Sequence, residues 1–167
     1  DRTYIGCDVP DITYGVNLNL RYKGFELSMF GQGVTGTKVN FSMENAWAFS
    51  DYASPRKYHL KRWTVDNPNP NAAYPRLYQA QTHNLLFSDY WLEDASYLRL
   101  KNVQLGYTFP KKWINSLGLS NLRVYASADN LLTFTKYFGA YDPEVRETSG
   151  DSYPQVKTYV FGLSVSF

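Results

Sequence analysis

The residues of this chain best suited to chemistry are acidic and sit near its end, where Asp142, Pro143 and Glu144 are followed by Asp151. Carboxylates so spaced suggest a calcium site, but calcium takes about six to eight oxygen ligands and this stretch supplies too few. A catalytic carboxylate pair must flank a substrate bond, and nothing nearby supports that. The expected state is a solvated loop held by Pro143. The two histidines, His59 and His83, are far apart, no CxxC or HxxxH spacing is present, and both are expected to be solvated loop residues. Cys7 stands alone, so no intrachain disulfide is available. No nucleophile elbow, Ser-His-Asp order, phosphate-binding glycine loop or zinc motif occurs. Neither an enzyme nor a cofactor is expected, and no metal.

A formal net charge of +2, with no basic run longer than two residues, as at Lys111-Lys112, gives no electrostatic case for a nucleic-acid partner. Aromatic residues make up 17% of the chain in an otherwise polar composition. Large amphipathic rings in that proportion suit strands with one face toward lipid or another sheet and one toward water. A second aromatic group, Trp47, Trp63, Tyr74, Tyr78, Tyr90 and Trp91, lies in a stretch without periodicity. These rings either stack on sugar rings or a protein partner, or form the small core that a long loop needs; the core reading is preferred, most of all for Trp91.

The elements that position these residues are read from alternation. From Ile12 to Tyr22 every even position is apolar or aromatic, and the odd ones include Thr13, Asn17, Asn19 and Arg21. Strict period two predicts a strand with a greasy and a wet face. Eleven residues tilted near 45° span roughly 25 Å, the height of a lipid-facing band. Lys23-Gly24 marks a tight turn into a second strand. The strands are placed at about 12–22, 25–36, 96–109, 121–135 and 156–167. Asn17, Asn19, Arg21, Glu26 and Ser28 share the wet face, whereas Tyr125 would suit either side of its strand.

The connections alternate short, long, short, long, the long ones covering about 37–94 and 136–155. Short turns on one side and long loops on the other are the asymmetry of a bacterial membrane β-barrel. The fold class is therefore all-β: a barrel fragment of about five long antiparallel strands. Five strands cannot close such a barrel, so others must complete it. Phe109 and Trp113 fall at the short-turn end, where an aromatic girdle is expected; for Trp113 packing against the turn is an equal alternative. Tyr159, Phe161, Leu163, Val165 and Phe167 form the apolar face of the last strand. A terminal aromatic on such a strand favours a barrel-assembly signal over a plain amphipathic strand.

Several segments, in order, resemble the C-terminal part of SusC/RagA-type TonB-dependent outer-membrane transporters. They are Asp1-Arg2-Thr3-Tyr4-Ile5-Gly6, Tyr22-Lys23-Gly24-Phe25-Glu26-Leu27-Ser28, Trp63-Thr64, Asn67-Pro68, Pro75-Arg76, Ala95 to Tyr107, Leu122-Arg123-Val124-Tyr125, Asn130-Leu131-Leu132-Thr133, Asp142-Pro143-Glu144, Tyr153-Pro154 and Phe161-Gly162-Leu163. The strongest is Ala95-Ser96-Tyr97-Leu98-Arg99-Leu100-Lys101-Asn102-Val103-Gln104-Leu105-Gly106-Tyr107.

The resemblance implies a barrel of about twenty-two strands plugged by an N-terminal domain, with residues 1–167 as its C-terminal segment. It implies outer-membrane localisation and import of a large nutrient, an oligosaccharide or peptide. The implied partners are the rest of the transporter, outer-membrane lipid, a SusD-like surface lipoprotein, and a TonB complex reached through an N-terminal part not in view. The export signal would lie upstream of Asp1. Asn17, Asn19, Arg21, Glu26 and Ser28 would then face the lumen, and Trp47, Trp63, Tyr74 and Tyr78 would be candidates for ligand or partner contact. The competing readings are a soluble all-β carbohydrate-binding module and a small self-associating outer-membrane barrel.

Overall fold

The computed structural model describes residues 3–41, 46–49, 53–78, 83–137, 142–145, 153 and 155–167. Among them run β1 (Ile12–Tyr22), β2 (Phe25–Thr35), β3 (Lys38–Asn40), β4 (Leu92–Asp94), β5 (Tyr97–Thr108), β6 (Asn121–Thr135) and β7 (Thr158–Ser166). The five long strands form one antiparallel sheet in the order β1-β2-β5-β6-β7. The sheet does not close, and β1 and β7 are its edges.

Local chemistry sets the short turns. Lys23 (φ 47°) and Gly24 (φ 90°) both adopt left-handed backbone, the two-residue turn whose twist matches a β-hairpin. A side chain at Gly24 would meet the Thr108 carbonyl at 2.7 Å, so glycine is required there sterically as well. The turn between β5 and β6 contains a short helix, α1 (Lys111–Ile114), and a 3-10 turn, Asn115–Leu117. Gly118 ends it at φ 71°, and Ile114 anchors it, 2% exposed.

The register sorts the side chains into rows. Leu20, Leu27, Leu105, Ala126 and Phe161 stand side by side across all five strands. Tyr22, Phe25, Tyr107, Val124 and Leu163 form the next row toward the short turns, and Leu18, Met29, Val103, Ala128 and Tyr159 the next one away. The opposite face carries Asn19, Ser28, Gln104, Ser127 and Val160 in one row and Arg21, Glu26, Gly106, Tyr125 and Gly162 in another. Tyr125 is thereby assigned to the polar face, where its ring lies over Gly162 in the space a side chain there would need.

Among the described residues, no core is built between this sheet and another layer. Leu20 is 53% exposed and Phe161 84%. Burying a large apolar side chain is worth roughly 1.5–3 kcal/mol, so the apolar face is unsatisfied in water and suited to an apolar surrounding.

The stretch 37–94, which shows no alternation, nevertheless carries regular structure. β3 pairs with β4 to close its base, and 3-10 turns form at Lys57–Lys61, His83–Leu85 and Asp89–Trp91. Three-residue strands are too short to display a period, and their pairing is set by contacts distant in sequence.

Candidate functional site: the polar face and the loops at its end

Two elements of the polar face are charged. Near the short turns, Glu26 lies 3.5 Å from Arg21 and 3.2 Å from Arg123, with Asn19, Ser28 and Gln104 beside them. The sequence-expected set of Asn17, Asn19, Arg21, Glu26 and Ser28 thus shares one face, with Asn17 in the row of Asn102 and Asp129.

The second charged element, near the long connections, depends on a fault in the alternation. On β5 the polar positions are Arg99 and Lys101 and then Asn102 and Gln104, so the phase slips by one residue. The register slips at the same place: Lys101 is an extra residue relative to β2, and on β6 two residues, Asn130 and Leu131, stand opposite it. Such a bulge turns two adjacent side chains to one face. Arg99, only 3% exposed, thereby joins the polar face opposite Gln32 and Thr133.

Its guanidinium is almost fully used. Nε donates to Thr133 Oγ1 at 2.9 Å, Nη1 to Glu144 at 2.6 Å and Nη2 to Asp142 at 2.5 Å. Lys101 donates to both Glu144 oxygens, at 2.5 and 2.6 Å. Asp142 also accepts from the backbone N–H groups of Glu144 and Gln155, and Val145 N–H closes a turn onto the Asp142 carbonyl. Asp142 and Glu144 are therefore not solvated loop carboxylates: their side chains are 8% and 22% exposed and paired with the wall. They answer Arg99 and Lys101 in charge and leave little capacity for calcium; Asp151 lies outside the described residues. Burial pushes the Asp142 carboxyl up, but the Arg99 hydrogen bond, the Glu144 N–H and the Arg99 charge together hold it below its ordinary value. The clamp is thus complete above the ordinary carboxylate range and weakens only as pH falls through the lowered value.

Beyond the sheet, the long connection folds on its own aromatic core of Phe41, Ala46, Tyr74 and Trp91, with Trp47 and Tyr58 packed against it. Of the aromatic candidates, Tyr74 and Trp91 are buried and Trp47 lies at the core's edge. Trp63 is half-buried, its backbone N–H donating to the Tyr74 carbonyl. Tyr78 is 46% exposed, beside the Arg76 guanidinium, and Tyr90 is also exposed. His59 is not solvated either; it is 2% exposed at the hub of this loop. Its Nδ1 accepts the Arg56 N–H at 2.8 Å, so Nε2 carries the proton and donates to the Ala46 carbonyl at 3.1 Å. The Tyr74 hydroxyl donates to the same carbonyl. Burial, with Arg56 and Arg62 adding to it, pushes the His59 pKa below its ordinary value and outweighs the Ala46 hydrogen bond.

At the short-turn end a chain of rings runs from Phe25 to Tyr107 (4.5 Å), Phe109 (5.0 Å) and Trp113 (6.4 Å). Trp113 is 62% exposed, so it is not packed away under the turn. On the last strand, Tyr159, Phe161, Leu163 and Val165 point from the apolar face, and Phe167 is 93% exposed.

No protein-family model matches the chain. It is 33% identical over 181 residues to TonB-dependent receptor P3 of Formosa agariphila, a match covering 100% of this chain and 17% of that protein. It is 40% identical over 163 residues to TonB-dependent receptor SusC of Bacteroides thetaiotaomicron, covering 94% of this chain and 15% of that one. Among solved structures, the RagAB peptide transporter superposes with a TM-score of 0.76 at 34% identity, over 97% of this chain and 18% of that chain. The RagAB peptide importer in its open-open state gives 0.75 at 32%, over the same shares. The chain spans less than a fifth of the length of the curated relatives it matches. These relatives are receptors and importers rather than enzymes, and the five-stranded sheet is a portion of such a protein's β-barrel wall. The chain belongs to the TonB-dependent receptors of the SusC/RagA type.

Two outcomes follow from the buried polar groups. Arg99→Met removes all three of Arg99's hydrogen bonds and strands Asp142, at a local cost of about 3–5 kcal/mol. Hydrogen exchange of residues 142–145 should rise sharply while β5 and β6 stay protected; unchanged exchange would deny the clamp. For His59, the native loop favours the neutral ring, so its contribution is full above the ordinary value of 6.5 and is lost as pH falls from there toward the lowered native value. Exchange over residues 56–63, corrected for its intrinsic pH dependence, should therefore rise as pH falls below the ordinary value of 6.5. In His59→Gln that added pH dependence should be absent.

Proposed function

We propose that this chain forms part of the wall and external loops of an outer-membrane active transporter. In this reading the protein imports a large nutrient, with a surface lipoprotein as partner and TonB-dependent energy reaching it through other parts of the polypeptide. The observation that carries the reading is the division of the sheet into an exposed apolar face and a polar face with fixed charges. Such a sheet is a wall between lipid and an aqueous lumen. Asn17, Asn19, Arg21, Glu26 and Ser28 line that lumen, and the apolar row ending in Phe167 serves as the assembly signal. The clamp of Arg99 and Lys101 on Asp142 and Glu144 holds an external loop against the mouth.

Membership of the TonB-dependent receptors supports the transport class, and likeness to a peptide importer favours peptide over oligosaccharide as cargo. A soluble carbohydrate-binding module is disfavoured because it would leave Leu20, Phe161 and their rows bare in water.

The test uses the complete receptor expressed in its own outer membrane, where Val16→Asp places a charge on the apolar face and Asn17→Leu removes a polar group from the other. Val16→Asp should lower the folded protein in the outer membrane severalfold and reduce nutrient uptake with it, and Asn17→Leu should preserve both. Equal tolerance of the two would contradict the facing. A receptor that leaves the cell envelope without detergent would contradict the transporter itself.

A further inference from the structure

Between the base of the long connection and its aromatic core is a cavity of about 490 Å³, within the roughly 300–1,000 Å³ of small-ligand sites. Tyr58, Tyr90 and Trp91 wall it, and its charged groups are Lys57, Lys61 and Glu93. The two lysines stand at the first and last positions of one 3-10 turn, Lys57–Lys61. Both are exposed, and neither forms a salt bridge among the described residues. Among the described residues, no carboxylate lies within salt-bridge distance of either ammonium group. Glu93 faces the same space, its carboxyl pushed up by burial and by the neighbouring Asp94.

Three of the rings that line the cavity, Tyr74, Tyr90 and Trp91, have their polar atoms engaged elsewhere. The Tyr90 hydroxyl donates to the Ala73 carbonyl at 3.1 Å, and the Trp91 indole N–H to Asn84 at 2.8 Å. The Tyr74 hydroxyl is held by Ala46. These walls offer ring surface and few free hydrogen-bonding groups. An oligosaccharide, with hydroxyls on every side, would leave many unpaired, and each buried unpaired group costs about 1–3 kcal/mol. A ligand with one anionic head and an apolar body has the complementary pattern, since its charge meets the lysines and its body meets the rings.

We propose that this cavity is a capture site for the carboxyl-terminal end of a peptide. Lys57 and Lys61 pair with the terminal carboxylate, and Tyr90 and Trp91 enclose the last side chain. Glu93 disfavours a second negative charge on that residue, so an aromatic or aliphatic last residue fits better than an acidic one. The site deepens the transport reading and rests on it for the cargo's class, but its occupancy can be measured without transport.

The experiment is hydrogen exchange on the purified complete receptor, following residues 57–61 and 89–94, with Ala-Ala-Phe and its carboxyl-terminal amide as probes. The free acid should protect both segments, and the amide should protect them at least about tenfold less effectively. The double variant Lys57→Gln, Lys61→Gln changes only exposed side chains; it should abolish the difference between acid and amide while leaving exchange of the unliganded loop unchanged. Equal protection by acid and amide overturns the proposal, as does protection by a neutral oligosaccharide but not by the peptide. Peptide uptake by cells without any protection of these segments removes the site and leaves the transport reading standing. Acid-specific protection without peptide uptake establishes the site and removes that reading.

Discussion

In hydrocarbon an unpaired peptide group costs several kcal/mol, because no water is present to take the place of the missing hydrogen bond. That constraint organises the whole chain. Backbone pairing passes continuously from β1 through β2, β5 and β6 to β7, and in a membrane the edge strands β1 and β7 would need partners as well. Long strands joined by short connections on one side follow from it. Period-two alternation then sorts the side chains onto two faces, and a slip of one residue would exchange them.

One slip is present, and it is used. The bulge at Lys101 moves Arg99 onto the polar face, where Arg99 meets Asp142 and Glu144 from a distant connection. β6 accommodates the same level with Asn130 in the left-handed region at φ 51°, its side chain reaching the Val156 carbonyl. The fault in the ladder therefore gives the wall two cations at the point where a loop has to be held. With Arg99 at 3% exposure these charges are stable only as a group: a buried pair adds little, but losing one partner leaves the other desolvated and unpaired.

The parts of the fold legible in the sequence are those determined by neighbours along the chain. Val16, Leu18 and Leu20 announce a strand face by themselves, and Lys23-Gly24 announces its turn. The strand ends lie within one or two residues of the alternation, which fades where side chains leave the two faces. The buried polar groups were not legible. Asp142 looks solvated until Arg99, 43 residues away, is brought beside it, and His59 looks solvated until the Ala46 carbonyl, 13 residues away, accepts its hydrogen bond. The one signal available was the change of phase between Arg99-Leu100-Lys101 and Asn102-Val103-Gln104, which marks a bulge and with it a reversal of Arg99's facing. Within the long connection, composition separated core from surface only in part: Tyr74 and Trp91 are inside and Tyr78 is out, and no period distinguishes them.

The central claim is that one face of this sheet meets lipid and the other an aqueous lumen. The direct measurement is spin-label accessibility along β1 in the complete receptor reconstituted in bilayers, with Cys7→Ser as background and single cysteines at positions 17 to 21. Collision with oxygen, which concentrates in lipid, should peak at 18 and 20, and collision with a water-soluble nickel chelate should peak at 17, 19 and 21. Uniform exposure of all five positions to the nickel reagent, with no alternation, would contradict the claim and return the sheet to water.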